Sequence, residues 1–134
     1  MNIEYELKKY FEKRKEIAFA FLFGSFAKGC YREMSDIDIA IYFFPEDNDF
    51  DFQSEKFFNS EDEIWSELEE ILKKEIDLLV LNRAPSTVAF NAVRGLEIIN
   101  RDFELFYKFF NYVMFDAIDY NEMILRDFDK GIYA

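Results

Sequence analysis

GSFAKGCYREMSDIDIAIYF, residues 24–43, joins a glycine-serine turn to a strand that opens with two carboxylates. Within DIDIAIYF the alternation is clean. Ile37, Ile39, Ile41 and Phe43 point one way, while Asp36, Asp38, Ala40 and Tyr42 point the other, because successive side chains of a strand leave opposite faces. Asp36 and Asp38 therefore project from one face, about 6 to 7 Å apart along the chain. Just upstream, IAFAFLF at 17–23 is apolar without alternation and is stopped by Gly24. That pattern predicts a strand buried on both faces. Gly24 adds no side chain, so backbone N–H groups and the Ser25 hydroxyl can approach a phosphate closely at the turn.

Outward from this stretch, residues 3–16 carry Ile3, Leu7, Tyr10 and Phe11 at helical spacing and predict an amphipathic helix. Pro45 and EDNDFDFQ read as a loop, and residues 55–74 as a helix with Phe58, Ile64, Trp65, Leu68, Ile71 and Leu72 on its apolar side. IDLLVLN, residues 76–82, predicts a third, central strand. Residues 86–94 predict a short helix between Pro85 and Gly95, and LEIIN at 96–100 an edge strand. Residues 102–128 have helical periodicity throughout. The order α-β-β-α-β-α-β-α implies an α/β (α+β) fold in one domain, 1–134, built on a mixed sheet of about four strands flanked by helices, with 102–128 as a long C-terminal helix.

Composition narrows the chemistry. The chain has 134 residues, 51% of them apolar and 20% aromatic, enough to bury a core. No apolar run approaches the roughly 18 residues of a membrane span. The first residues are charged and unlike a signal peptide, so a cytoplasmic protein is expected. One cysteine, Cys30, allows no internal disulfide and no multi-cysteine zinc site. With no histidine, Ser-His-Asp and Cys-His catalysis and His-ligated zinc are excluded. A net charge of −12 argues against stable nucleic-acid binding, whose affinity comes mainly from neutralising phosphates. Between Glu46 and Asp77 there are 13 acidic and 3 basic residues. This run reads as a solvated face, or as a surface for a basic protein partner.

A third carboxylate, Asp77, lies at the start of the IDLLVLN strand between Ile76 and Leu78. If that strand neighbours residues 36–43, Asp77 joins Asp36 and Asp38; otherwise it is a strand-entry residue reaching water. Oxygen ligands without His or Cys point to a hard cation shared with substrate phosphates, Mg²⁺ first and Mn²⁺ second. Three such carboxylates suffice for two cations roughly 3.5 to 4 Å apart, which clamp the attacking oxygen and a leaving pyrophosphate in an in-line displacement.

Gly24, Ser25, ten residues and then Asp-x-Asp resemble the signature of the nucleotidyltransferases of the DNA polymerase beta superfamily. The small size resembles the minimal (MNT-type) antitoxins that pair with HEPN-domain toxins. The resemblance implies a polymerase-beta-like nucleotidyltransferase fold. It also implies that Gly24 and Ser25, with Lys28 and Ser35, hold the nucleoside triphosphate, that Asp36 and Asp38 hold the metals, and that Asp77 is the third metal ligand or the base. Lys28 stands where members commonly have Arg; it keeps the charge and loses the bidentate fork, and a solvated turn lysine is the alternative. The function implied is a Mg²⁺-dependent antitoxin that transfers AMP from ATP to a tyrosine of a cognate HEPN ribonuclease. Alternatives are a small-molecule, antibiotic-type nucleotidyltransferase and a catalytically idle antitoxin that neutralises by binding.

Little chain remains for a second domain that could grip an acceptor, so the acceptor is expected to arrive on another protein. On the last helix, Phe103, Phe106, Phe110, Val113, Met114, Ala117, Ile124 and Phe128 form one stripe, expected to cover the sheet. Leu105, Phe109 and Tyr112 form a second, flanked by Asp116 and Asp119. Either the helix is buried all round, or the second stripe is an apolar patch with an acidic rim suited to a partner.

Overall fold

The apolar run that ends at Gly24 forms the first strand, β1 (Ile17–Phe23), and the alternating run forms β2 (Ile37–Phe43). In this computed structural model residues 2–24, 36–45 and 58–129 are described, with side chains through residue 118. Helix α1 (Ile3–Glu12) precedes β1; α2 (Glu61–Leu72) and β3 (Ile76–Val80) follow β2. A short 3₁₀ turn, then α3 (Ser86–Ala92), β4 (Leu96–Asn100) and the long helix α4 (Phe103–Asp129) complete the chain. The sheet order is β3-β2-β1-β4, with β2 and β3 parallel and the other pairs antiparallel. The mixed four-stranded sheet with four helices among the described residues matches the expected class.

The sheet is the middle of three layers because both of its faces are apolar. Ile17, Ala20, Leu22, Ile37, Ile39, Ile41 and Phe43 pack with residues of α1 and α2. Ala18, Phe19, Phe21, Ala40 and Tyr42 pack with residues of α3 and α4. A bulge sorts β1 between the two. Ile17 pairs with Phe43 and Phe19 with Tyr42, so Ala18 is the extra residue, and Ala18 and Phe19 both join the α3/α4 side. Tyr42 stacks on Phe19 at 4.7 Å, and Phe109 of α4 lies against both rings. The Arg101 guanidinium donates to the carbonyls of Ile17 and Phe11, tying the start of α4 to β1 and α1.

Three expectations change. The second helix begins at Glu61 rather than 55. The buried Glu61 carboxylate accepts the Phe58 N–H at 2.7 Å and also holds Arg83, which fixes Phe58 outside the helix; residues 55–57 lie outside the described residues. The third strand stops at Val80, because the chain turns at Leu81–Arg83 to aim Asn82 at β2. The Asn82 side chain accepts the Phe43 N–H at 2.9 Å and donates to the Phe43 carbonyl at 3.0 Å, capping the end of β2 as a further strand would. It is also an edge strand and not a central one.

The rotation of α4 is the third difference. Phe109, Val113 and Ala117 are buried, with Leu105, Phe106 and Phe110 partly so, whereas Phe103 is 71% exposed. Phe109 packs against the stacked Phe19 and Tyr42 rings, and that placement turns Phe103 away from the sheet. Ile124 and Phe128 lie beyond the described side chains. Among the described residues no helix is long and apolar enough to cross a membrane.

Candidate active site

The strand ends bring two of the sequence-derived carboxylates together. Because β2 and β3 run parallel with Ile37 opposite Ile76, Asp38 lies directly opposite Asp77, at the roughly 4.8 Å spacing of neighbouring strands. The carbonyl of Glu75 accepts the Ile37 N–H at 3.0 Å and extends the pairing to the mouth of the site. On the other side of β2, Asp38 pairs with Phe23, the last residue of β1. Gly24 therefore follows at the same end of the sheet. Its φ is +71°, a left-handed conformation, and a Cβ built on it would overlap the Asp38 carboxylate. Glycine is required here twice, for the backbone and for the space.

Each carboxylate has its own environment. Asp38 is half-buried, while Asp36 and Asp77 are exposed. Burial holds the Asp38 carboxyl above the usual carboxylate range, and Asp77 adds to the shift through its charge and through a hydrogen bond between the two carboxyl groups. Asp36 contributes its charge alone. Two carboxylates can share a hydrogen bond only with a proton between them, so a positive charge is wanted at this point. Asp77 sits on an edge strand, which gives it access to water and removes the burial cost expected of an acid in a central strand.

Among the described residues, no three ligating side chains already converge as a cluster for a metal ion. Asp38 and Asp77 form the close pair; Asp36, two residues earlier on the same face, stands further off. Gly24 lies beside them. Ser25, Lys28 and Ser35 lie outside the described residues. In the sequence Gly24 reads as a means of approaching a phosphate; in the fold its bare Cα also makes room for Asp38, a relation created by the Phe23–Asp38 pairing and without local signal.

Asp36, Asp38, Ala40 and Tyr42 share one face of β2, and Ala40 and Tyr42 pack with residues of α3 and α4. The carboxylates thus open on the side of the sheet that α4 covers. Gly95 marks another close approach at this end. A Cβ there would lie 2.5 Å from the Leu22 carbonyl oxygen, so the turn from α3 into β4 packs directly on β1.

Residues 5–104 match the family described as "Polymerase beta, Nucleotidyltransferase". Comparison with curated protein sequences gives no match. Among solved structures, a toxin-antitoxin crystallised with AMP-PNP superposes with a TM-score of 0.71 at 18% identity, covering 100% of both chains. A mutant of the MntA-HpeT toxin-antitoxin gives 0.68 at 16% identity, covering 98% of each chain. A tri-AMPylated Shewanella oneidensis HEPN toxin in complex with MNT antitoxin gives 0.64 at 16% identity, covering 98% of this chain and 99% of that one. At such identities the likeness is one of fold. The sequence match, spanning most of the chain and every carboxylate of the site, establishes that the protein belongs to the polymerase beta nucleotidyltransferase family.

Proposed function

We propose that this nucleotidyltransferase is a cytoplasmic, single-domain antitoxin that transfers AMP from ATP to a tyrosine of a cognate HEPN ribonuclease and so silences it. The observation that carries the reading is the Asp38–Asp77 pair at the mouth of the sheet, with Gly24 packed against it. The pair combines an all-oxygen donor set with mutual repulsion, and a hard divalent cation fits both. Asp36, Asp38 and Asp77 would hold Mg²⁺, with Mn²⁺ the second choice, and a bound cation supplies charge stabilisation to the transferring phosphoryl group. Gly24 and Ser25, with Lys28 and Ser35, would receive the triphosphate.

In the reaction the tyrosine oxygen attacks the α-phosphorus of ATP. The bond from that phosphorus to the bridging oxygen of pyrophosphate breaks, and pyrophosphate leaves. The chain has no histidine to take the tyrosine proton, so a carboxylate of the site accepts it: Asp77, the more exposed of the close pair, where it serves as the base instead of as the third metal ligand. The product carries bulk and negative charge where the ribonuclease had a neutral hydroxyl. The fold shared with toxin-antitoxin structures, one of which contains a tri-AMPylated toxin, supports the protein acceptor.

The test incubates the purified pair with labelled ATP and Mg²⁺, then measures intact mass and ribonuclease activity of the re-isolated toxin. Added mass in steps of AMP with lost activity is the expected result. An inhibited toxin of unchanged mass would reduce the protein to a binding antitoxin, and an unaffected toxin would reject the pairing.

A further inference from the structure

Opposite the buried Phe109, α4 carries exposed aromatic side chains interleaved with the charged Glu104 and Lys108. Phe103, Tyr107, Met114, Phe115 and Ile118 follow one another along α4 and lie within about a third of its circumference. Phe103, Tyr107 and Phe115 are 71%, 58% and 61% exposed. With aromatic side chains presenting roughly 150–250 Å² each, these three alone show on the order of 400 Å² of ring surface, the size of the largest patch a soluble protein normally tolerates. Most of α4 also lies past residue 104, the end of the family match.

We infer that the outer face of α4 is the docking surface for the acceptor protein, which meets it with an apolar helical face rimmed by basic side chains. The inference rests on the proposed reading for the acceptor's identity. Charge decides against a second copy of this chain. Each copy carries a net −12, and residues 103–129 alone hold six acidic and two basic residues, so a self-pairing along this helix sets like charge against like. Area points the same way. A few hundred Å² per partner lies below the roughly 800 Å² of a standard stable interface, so the contact is of the transient kind and gains from opposite charge. A contact that forms and releases suits an enzyme whose acceptor is a whole protein.

The experiment compares wild type with Phe103→Ser/Tyr107→Ser/Phe115→Ser for binding to the purified cognate HEPN ribonuclease and for AMP transfer to it. Circular dichroism and ATP–Mg²⁺ calorimetry verify the fold and the nucleotide site. The expected result is at least 30-fold weaker binding and a correspondingly raised KM for the toxin, with unchanged ATP affinity. Glu104→Lys should slow association several-fold and flatten its salt dependence. Equal toxin binding by the triple variant would overturn the surface and leave the proposed function standing. Strong binding through α4 without any AMP transfer would do the reverse, and no binding by wild type would overturn both. Sedimentation supplies the remaining arm: a wild-type dimer dissolved by the triple substitution would assign the face to a second copy and refute the inference.

Discussion

Acidic side chains crowd together in two regions, and the fold treats them oppositely. Where α1 meets α2, Arg14 donates to Glu63 at 2.5 Å and to Glu67 at 2.6 Å, and its Nε donates to the Tyr10 hydroxyl at 3.1 Å. Glu61 is likewise answered by Arg83 and by the Phe58 N–H. At the strand ends, Asp38 faces Asp77 with Asp36 nearby, and no Arg or Lys among the described residues bridges them. The first arrangement stabilises the native state. The second costs stability and has to be explained by what it binds. An acid that is paired belongs to the scaffold; acids gathered with no bridging cation among the described residues point to a candidate site.

The largest effect should come from emptying the repelling pair. Asp38→Asn is expected to lower nucleotidyl transfer by about 10²- to 10³-fold, the range of effects assigned to lost electrostatic stabilisation. Measured by urea unfolding in metal-free buffer at pH 7, the same variant should be as stable as wild type or more so, because a half-buried charge beside another carboxylate is removed. A marked loss of stability there would place Asp38 with the scaffold acids and erase the contrast.

Gly24→Ala comes next. Its Cβ must displace the Asp38 carboxylate and the backbone must hold a φ of +71°, which costs about 1–2 kcal/mol for a non-glycine residue. Transfer should fall by roughly 10- to 100-fold, as small misplacements of catalytic groups cost. Activity retained at wild-type level would show that Asp38 need not sit where it does.

The paired acids should respond in stability only. Glu61→Gln removes the charge that holds Arg83 and weakens the acceptor for the Phe58 N–H. The expected loss is about 1–2 kcal/mol, discounted because Arg83 is partly exposed. ATP–Mg²⁺ affinity should not change, and calorimetry checks it.

The smallest effect is alkaline. Burial pushes the Tyr10 hydroxyl up from 10.0 to about 12, against the lowering influence of Arg14. A group whose folded value is raised keeps its full contribution below the unfolded value, so stability from Tyr10 should be constant to about pH 10 and decline between pH 10 and 12. Tyr10→Phe should lose that slope relative to wild type, read as the difference between their unfolding midpoints at pH 9 and 11. Parallel pH dependence in the two proteins would mean that Tyr10 titrates as if exposed.

Much of this was legible along the chain because the signals were local. Alternation exposed the two faces of β2, the unbroken apolar run marked β1 as doubly covered, and Pro85 and Gly95 bracketed α3. Gly24, Asp36, Asp38 and Asp77 were identifiable as residue types at a spacing. What failed depended on tertiary partners. Nothing near Asn82 announces that its amide will close the end of β2, nor does Glu61 show that it will reach back to Phe58. On α4 the apolar residues extend well beyond one stripe, so their spacing does not say which of them faces the sheet; the stacked Phe19 and Tyr42 rings decide, and the strand bulge at Ala18 has no signature in the run IAFAFLF.

The parallel pairing of β2 with β3 has a further consequence, in time rather than in space. Asp38 and Asp77 are separated by 39 positions in the chain and meet only after α2 has crossed over the sheet and β3 has docked. A nascent chain that has formed the β1–β2 hairpin already carries Gly24, Asp36 and Asp38, yet lacks the opposing carboxylate. Assembling this end therefore needs a long-range parallel contact, the kind of pairing that is slow to close. A product truncated before β3 carries Gly24, Asp36 and Asp38 without the opposing carboxylate.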